Sequence, residues 1–293
     1  MRYGISIGFK NKNHIRILKD TGFDYAETQL SSLYSANEEE IAGFIASLEE
    51  NNIKCEAVNV MFPGGIALTG ENADFAKTSD YIETVFEKTK NIGFKIVVFG
   101  SGGARKRPEG FPEEKALEQL KEMLGRLVVP AAEKYDFTLA VEELHKGETN
   151  MINTVDEAEN LAKQVNNPRI KILADLYHIG LEKYDVNKLA LKSGIIHHCH
   201  IANPYNKRFY PHAKDSPEVL ELYKSFFESL KNAGYNRRMS IEGALGGLAD
   251  AKNISIPDWV GDEDKIFYAE AKASLEFMKE LEYQIKKHEK NKN

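Results

Sequence analysis

The chain has 293 residues, of which 42% are hydrophobic and 29% charged, and its formal net charge is −6. This balance is typical of a globular enzyme, and the acidic charge argues against nucleic acid as the main partner, because it repels phosphate backbones. The sequence has no run of about 18 apolar residues that could cross a membrane, and its N-terminus lacks the apolar core of a secretion signal. We therefore expect a cytoplasmic protein that binds neither nucleic acid nor membranes.

Short apolar runs alternate along the chain with longer amphipathic segments, such as 38–52 and 115–135, whose apolar residues recur at helical spacing. A repeated strand and helix pattern predicts a parallel sheet. Because no glycine-rich phosphate-binding motif follows the first strand, the pattern favours a closed (β/α)8 barrel over an open doubly wound sheet. The predicted strands lie, in chain order, near residues 3–7, 23–28, 53–59, 95–100, 137–142, 169–175, 195–201 and 237–242.

The length suits one such barrel, and no linker or change of composition divides the sequence. We predict a single domain over residues 1–293, in which a highly charged tail from about 284 to 293 frays beyond the last helix. The longest insertion, residues 243–264, follows the eighth strand and carries the only tryptophan, Trp259. It is either a lid over the site or a loop anchored on the barrel rim. Cys55 and Cys199 lie in predicted strands and are interpreted as buried structural thiols.

Four side chains follow or close four successive predicted strands: Glu142, Asp175, His200 and Glu242. The C-terminal ends of barrel strands converge on one open face, so residues far apart in sequence meet there. Three carboxylates and one imidazole suit a divalent ion such as Mn²⁺, Mg²⁺ or Co²⁺. Strand alternation puts His198 on the same face as His200, and His200 is the better ligand because it lies nearer the strand end. Such an ion can hold two adjacent substrate oxygens and stabilise an enediolate.

Four motifs extend this pattern: VEELHKGE at 141–148, LADLYH at 173–178, HCHIA at 198–202 and SIEG at 240–243. In this order they resemble the xylose-isomerase-like TIM barrels, a group of sugar phosphate isomerases and epimerases that includes the ketose 3-epimerases. The resemblance covers essentially the whole chain. It implies a metal-dependent sugar isomerase or epimerase that transfers protons through a cis-enediolate. Glu142 and Glu242 would bind the metal, most simply Mn²⁺, and act on opposite faces of the substrate, with Asp175 and His200 completing the metal shell.

The resemblance also implies substrate contacts. Glu148 and His178 would contact the carbonyl and hydroxyls of the sugar, and an arginine after the seventh strand, which we assign to Arg208, would do likewise. The six-residue spacing to Glu148 selects Glu142 over its neighbour Glu143, which we place outward. His145 stands where many relatives carry asparagine, and its imidazole is a candidate additional general base. Homodimers and tetramers are common in the family, so we expect a homo-oligomer.

Two alternative functions stay open. The same barrel occurs in catalytic subunits that cleave oxidised C-glycosides by elimination, together with a small partner subunit, and His145 is a suitable base for that lyase chemistry. Barrels also persist as noncatalytic sugar-binding proteins. The related abasic-site endonucleases need a zinc cluster built from many histidines, and this chain has only His14 before residue 145.

Three further features are weaker candidates. The basic glycine-rich turn at 100–107, which includes Arg105, offers positive charge at the same face and is either a phosphate site or a tight loop. Glu27 and Asn59, at the ends of the second and third predicted strands, are candidates for contacts with substrate hydroxyls.

Overall fold

The computed structural model of the chain describes residues 1–246 and 254–290. Eight parallel strands pair in sequence order, and the last strand pairs with the first, so that the sheet closes into a barrel. The predicted (β/α)8 fold is confirmed, and each predicted strand overlaps an observed one. The strands are β1 (Arg2–Ser6), β2 (Tyr25–Gln29), β3 (Cys55–Asn59), β4 (Ile96–Phe99), β5 (Thr138–Val141), β6 (Ile170–Asp175), β7 (Ile196–Ile201) and β8 (Arg238–Ile241).

Helices follow the strands and form the outer layer. They are α1 (Lys12–Thr21), α2 (Leu30–Ser35), α3 (Glu38–Glu50), α4 (Phe75–Thr89), α5 (Gly102–Arg105), α6 (Glu113–Met123), α7 (Val129–Tyr135), α8 (Val155–Val165), α9 (Leu176–Leu181), α10 (Pro217–Asn232) and α11 (Lys265–Lys290). A π-helical turn, Leu124–Val128, joins α6 to α7, and 3₁₀ turns lie at Val186–Leu191 and Asp262–Asp264.

Helix α3 illustrates how the sequence specifies this outer layer. Asn37 accepts the backbone N–H of Glu40, and the side chain of Glu40 accepts the backbone N–H of Asn37, so a capping box begins the helix. Ile41, Phe44 and Leu48 then recur at helical spacing and are buried. The apolar stripe therefore packs on the barrel while the acidic first turn faces water.

The lower part of the barrel interior is filled with apolar side chains. A small cluster of fully or almost fully buried residues, separate from the main core, comes from five neighbouring strands and consists of Tyr25, Ala57, Ile96, Val98, Ala140 and Leu173. Side chains alternate along each strand, so a residue two positions after a member of this cluster also points to the barrel interior. Glu27, two positions after Tyr25, is one of these residues. The filled lower layer leaves the C-terminal end of the barrel as the place for polar chemistry.

The C-terminal helix extends past residue 284, where the sequence predicts fraying. Ile285 is buried, and Glu282 accepts hydrogen bonds from the N-terminal amine and from the hydroxyl of Tyr3, both at 2.7 Å. These contacts hold α11 against the first strand, and its helical backbone continues to Lys290. The remaining tail, 291–293, lies outside the described residues.

Three other sequence predictions concern residues outside the site. Cys55 and Cys199 are both free and buried, as predicted. The guanidinium of Arg16 lies 3.9 Å from the ring centre of Trp259. Trp259 also packs edge-on against Tyr268. These contacts anchor the second half of the 243–264 insertion, of which 247–253 lie outside the described residues. Among the helices that the structure describes, none is long and apolar enough to cross a membrane.

Candidate metal centre

The four predicted metal ligands converge at the C-terminal opening of the barrel. Glu142 directly follows β5, Asp175 ends β6, His200 is the second-to-last residue of β7, and Glu242 directly follows β8. One ligand atom from each residue lies within 4.8 Å of the others. Nδ1 of His200 lies 3.0 Å from Oε1 of Glu142, 3.0 Å from Oε2 of Glu242 and 3.9 Å from Oδ2 of Asp175. We refer to these four residues as the ligand set.

The charges of the ligand set fit a divalent cation. Burial raises the pKa of Glu142, and although His200 opposes this shift, repulsion from Glu242 and Asp175 adds to it. Carboxylates held this close together repel one another, and a bound cation would relieve that repulsion. Carboxylate oxygens with one imidazole are the donors that Mn²⁺, Mg²⁺ and Co²⁺ accept. The residues present therefore fit a divalent metal ion.

Arg208 lies against the ligand set. Its Nη2 donates to Oδ2 of Asp175 at 3.0 Å and to Oε2 of Glu242, and its Nε donates to the carbonyl of Glu242 at 3.0 Å. Burial raises the pKa of Glu242, but Arg208 and then His200 outweigh it, so the net shift is downward. Arg208 and the preceding Lys207 both adopt left-handed backbone conformations, with φ of 56° and 49°. Two consecutive non-glycine residues in this region store strain, which is typical of a functional turn.

His178 and His145 form a second group beside the ligand set. Nδ1 of His178 accepts the backbone N–H of His145 at 3.1 Å and lies 2.9 Å from Nδ1 of the His145 ring. Its Nε2 lies 3.5 Å from Oδ2 of Asp175 and has no hydrogen-bond partner within residues 1–246 and 254–290. Burial and the nearby Arg208 lower the pKa of His178 to about 2, so the ring is neutral. Because Nδ1 accepts, Nε2 carries a proton and offers it toward the site.

Glu148 and His145 are one step further from the ligand set. The side chain of Glu148 is 41% exposed, and its Oε1 lies 3.6 Å from Nδ1 of His145. His145 packs face to face with His178, with ring centres 5.1 Å apart. The structure thus brings all three predicted residues together at the site, and His178 is the one that separates His145 from the carboxylates.

Glu143, which the sequence places outward, is buried. Its Oε1 accepts the backbone N–H of Asp175 at 2.8 Å, and its Oε2 has no hydrogen-bond partner among the residues that the structure describes. Burial and the charge of Asp175 raise its pKa well above the usual range. Glu143 is not part of the ligand set, and it braces the end of β6 next to the predicted ligand Asp175.

Glu27 and Asn59 have other partners than the predicted sugar hydroxyls. Glu27 is fully buried below the ligand set, where both its oxygens bond to His198 and His200. Burial raises its pKa, but the two imidazoles outweigh this effect and lower it far below its usual value. Nδ2 of Asn59 donates to Oε1 of Glu242 at 2.9 Å. Strand position predicted that both residues point inward, but only the tertiary structure shows that Glu27 lies one layer too deep for a ligand.

The glycine-rich turn at 100–107 holds Glu142 in place. Arg105 is completely buried, and its guanidinium donates to the carbonyls of Phe99 at 3.0 Å, Glu142 at 2.7 Å and Ile152 at 3.2 Å. Burial lowers its pKa to about 10. A Cβ on Gly100 would overlap Oε2 of Glu142. Arg105 therefore cannot bind a phosphate, because its guanidinium is buried and donates to three backbone carbonyls inside the protein.

A wide cleft of about 1190 Å³ opens beside the ligand set, over the first three strands. Glu242 and Arg208 are among the residues that line it. Its walls combine apolar side chains with hydroxyl and amide groups, including Ile7, Phe9, Asn11, Ser31, Ser35 and Phe62. The volume exceeds the usual range for small-molecule sites, about 300–1,000 Å³. The cleft is therefore roomy enough for a sugar that reaches the ligand set.

Sequence reasoning missed the polar layer under the ligand set. Ser240 and Tyr25 bond to each other at 2.8 Å, and Ser240 donates to Glu27 at 2.5 Å. The sequence signal for this layer was the alternation of side chains along each strand. Tyr25 lies two positions before Glu27, His198 two before His200, and Ser240 two before Glu242. Each pair therefore shares the barrel interior.

Comparison with known proteins identifies the family of the chain. The family model described as "Xylose isomerase-like TIM barrel" matches residues 15–265. A probable ketose 3-epimerase of Synechocystis sp. is 27% identical over 142 residues, which cover 47% of each chain. A D-psicose 3-epimerase of Ruminiclostridium cellulolyticum is 26% identical over 169 residues, 56% of this chain and 53% of the relative. The chain thus matches about half the length of these curated relatives.

Solved structures share the fold over almost the whole chain. A D-psicose 3-epimerase crystallised in the presence of D-fructose superimposes with a TM-score of 0.78 at 17% identity, covering 96% of this chain and 99% of the other. The 3-keto-D-glucoside 4-epimerase of E. coli gives a TM-score of 0.68 at 19% identity, with 95% and 99% covered. Because the family model spans most of the sequence and the barrel is closed, the chain belongs to the xylose isomerase-like TIM barrel family.

Proposed function

We propose that this protein is a divalent-metal-dependent sugar epimerase of the ketose 3-epimerase type. The observation that carries the proposal is the ligand set, in which two glutamates, Glu142 and Glu242, reach the same imidazole nitrogen from two different strands. Carboxylates on either side of a bound sugar can remove a proton from one face and return one to the other. The similarity to a ketose 3-epimerase and a D-psicose 3-epimerase supports a ketose as the substrate.

The ligand set, Glu142, Asp175, His200 and Glu242, would hold the metal, for which we propose Mn²⁺, with Mg²⁺ or Co²⁺ as substitutes. When bound, such an ion supplies positive charge that stabilises the enediolate form of the sugar. The proposed epimerisation then needs one glutamate to accept the proton at the carbon beside the carbonyl. The other glutamate donates a proton to the opposite face of the resulting cis-enediolate.

The neighbouring side chains would bind and orient the sugar. Nε2–H of His178 is buried and unpartnered in the part of the chain described, so it is ready to donate to a substrate oxygen. Arg208 lines the cleft and would contribute a second donor group. Glu148 would accept from a hydroxyl. His145 is proposed to support His178 and to exchange its proton with solvent, because its Nδ1 lies 2.9 Å from that ring and its side chain is 19% exposed.

The lyase alternative requires His145 itself to act as the base. In the structure the ring of His145 is directed to His178 and Glu148 and is separated from the ligand set by His178. This arrangement favours the epimerase, in which the carboxylates do the proton transfer. A cytoplasmic location and a homo-oligomeric state are part of the proposal, and light scattering on the purified protein tests the second.

The decisive experiment follows deuterium from D₂O into a panel of free and phosphorylated ketoses by NMR, with Mn²⁺ or with EDTA. Metal-dependent label at C3 is the expected result, whereas label at C1 would indicate aldose–ketose isomerisation. Glu142→Gln and Glu242→Gln should each abolish exchange. Glu56→Gln is the matched control, because Glu56 pairs with Arg2 and Arg238 at the opposite end of the barrel.

If either site variant keeps wild-type exchange with its metal bound, the two-carboxylate mechanism is wrong. If no sugar exchanges and the metal is bound, the epimerase proposal fails, and an oxidised C-glycoside becomes the next substrate to test.

A further inference from the structure

The layer directly below the ligand set contains a buried carboxylate with no route to the substrate cleft. Glu27 lies on β2 and is fully buried. Its Oε1 lies 2.9 Å from Nε2 of His200, and its Oε2 lies 2.8 Å from Nε2 of His198. Ser240 donates to the same Oε2 at 2.5 Å. Glu27 therefore bridges three strands through side-chain hydrogen bonds alone.

These bonds decide which nitrogen of His200 is available as a ligand. A carboxylate only accepts hydrogen bonds, so the bond to Glu27 places a proton on Nε2 of His200. The lone pair that remains for a metal is then on Nδ1, which faces Glu142 and Glu242 at 3.0 Å each. With Nε2 unprotonated, the ring would lose its bond to Glu27 and would need its only proton on the nitrogen that faces the ligand set.

The position of Glu27 is itself fixed from below. Ser240 bonds to the hydroxyl of Tyr25 at 2.8 Å, which ties the donor of Glu27 to the apolar layer at the bottom of the barrel. His198, the second partner, is fully buried. Donors on both oxygens and the lack of access to water fix the orientation of the Glu27 carboxylate. The bond from Glu27 to Nε2 then fixes the orientation of the His200 ring.

We propose that Glu27 is a positioning residue that orients His200 and sets its tautomer for metal binding, assisted by His198 and Ser240. This inference rests on the proposed function, because it concerns the same metal site. A carboxylate that accepts the second N–H of a ligating histidine holds the ring and increases the basicity of the ligating nitrogen. Glu27 meets this description, while its depth below the ligand set excludes it from binding the substrate.

The test compares Mn²⁺ binding by metal-free wild type and Glu27→Gln in isothermal titration calorimetry. The amide has the shape of the carboxylate and can still accept from His200, but it lacks the charge and turns a donor toward one histidine. We expect the dissociation constant for Mn²⁺ to rise by roughly 10- to 100-fold. Glu27→Asp keeps the charge and shortens the side chain, so its affinity should lie between those of wild type and Glu27→Gln.

Glu56→Gln is the matched control for a structural effect. Glu56 lies on β3, the strand next to β2, is 9% exposed and bonds to two arginines away from the site. Both variants lose a largely buried carboxylate, so both can lower the melting temperature of the metal-free protein. Only Glu27→Gln should weaken Mn²⁺ binding. Equal affinities of Glu27→Gln and wild type would overturn the positioning role.

The two proposals fail in different ways. Wild type that does not bind Mn²⁺, Mg²⁺ or Co²⁺ contradicts the metal-dependent function, and with it the positioning role. Wild type that binds Mn²⁺ while Glu27→Gln binds it equally well contradicts only the role of Glu27. If Glu27→Gln does not fold, Ser240→Ala removes one donor to Glu27 and should weaken Mn²⁺ binding severalfold; unchanged affinity in this variant refutes the positioning network.

Discussion

Gly100→Ala is predicted to impair the site without damaging the barrel. Gly100 follows β4 and is buried, and a Cβ at this position would overlap Oε2 of Glu142 and lie 3.3 Å from its Cδ. The clash is relieved if the carboxylate moves by about 1 Å, and a displacement of this size at a reacting group can cost roughly 10²-fold in rate. We expect a loss of about that size in kcat/KM. Replacing glycine by alanine also reduces the backbone entropy of the unfolded chain. This effect stabilises the folded state by about 0.4–1 kcal/mol and offsets part of any strain.

Gly103→Ala in the same turn is the matched control, because a Cβ on Gly103 meets no atom within 4 Å. Each variant would be assayed for deuterium exchange into the ketose that wild type labels, for Mn²⁺ affinity, and for unfolding in urea. The expected result is a selective loss of exchange in Gly100→Ala at nearly unchanged stability. If Gly100→Ala and Gly103→Ala agree within about a factor of two in exchange rate and in Mn²⁺ affinity, the reaction does not depend on the position of Glu142.

Two further predictions concern stability. Arg105→Met should lower the free energy of unfolding by about 3 kcal/mol in urea titrations, because three buried carbonyls lose their donor; a change below about 1 kcal/mol would contradict this. Burial, with Arg237 and Lys171 nearby, lowers the pKa of His197 from 6.5 to about 4. The folded protein therefore resists protonation at His197, and stability falls as the pH decreases from about 6.5 to 4. His197→Gln should remove about 1–2 kcal/mol of this fall after solvent screening, and an identical pH profile would refute the assignment.

The fold and the ligand set could be predicted because both follow from local patterns. Apolar runs that alternate with amphipathic segments specify strands and helices, and a parallel barrel brings all strand ends to one face. Glu142, Asp175, His200 and Glu242 needed only their place at strand ends to be brought together. The alternation of side chains placed His198 and His200 on the same interior face, and nearness to the strand end selected His200.

The surroundings of the ligand set could not be predicted, because burial depends on contacts between distant segments. Arg105 and Glu143 are charged residues next to a predicted site, and sequence alone placed one at the active face and the other outward. Both are buried, since Arg105 meets backbone carbonyls of three segments and Glu143 meets the backbone of Asp175. These partners lie up to 47 positions away along the chain.

The sequence by itself determined that the chain forms a (β/α)8 barrel with an oxygen-rich ligand set at its open end, because periodicity and strand-end position are local properties. Only the tertiary structure decided how deep each polar side chain lies. Glu27 is 173 positions from His200 in the chain, and their bond exists because the closed barrel brings β2 and β7 together across its interior. Depth in a closed barrel depends on how all eight strands are staggered, and that stagger is a property of the whole sheet.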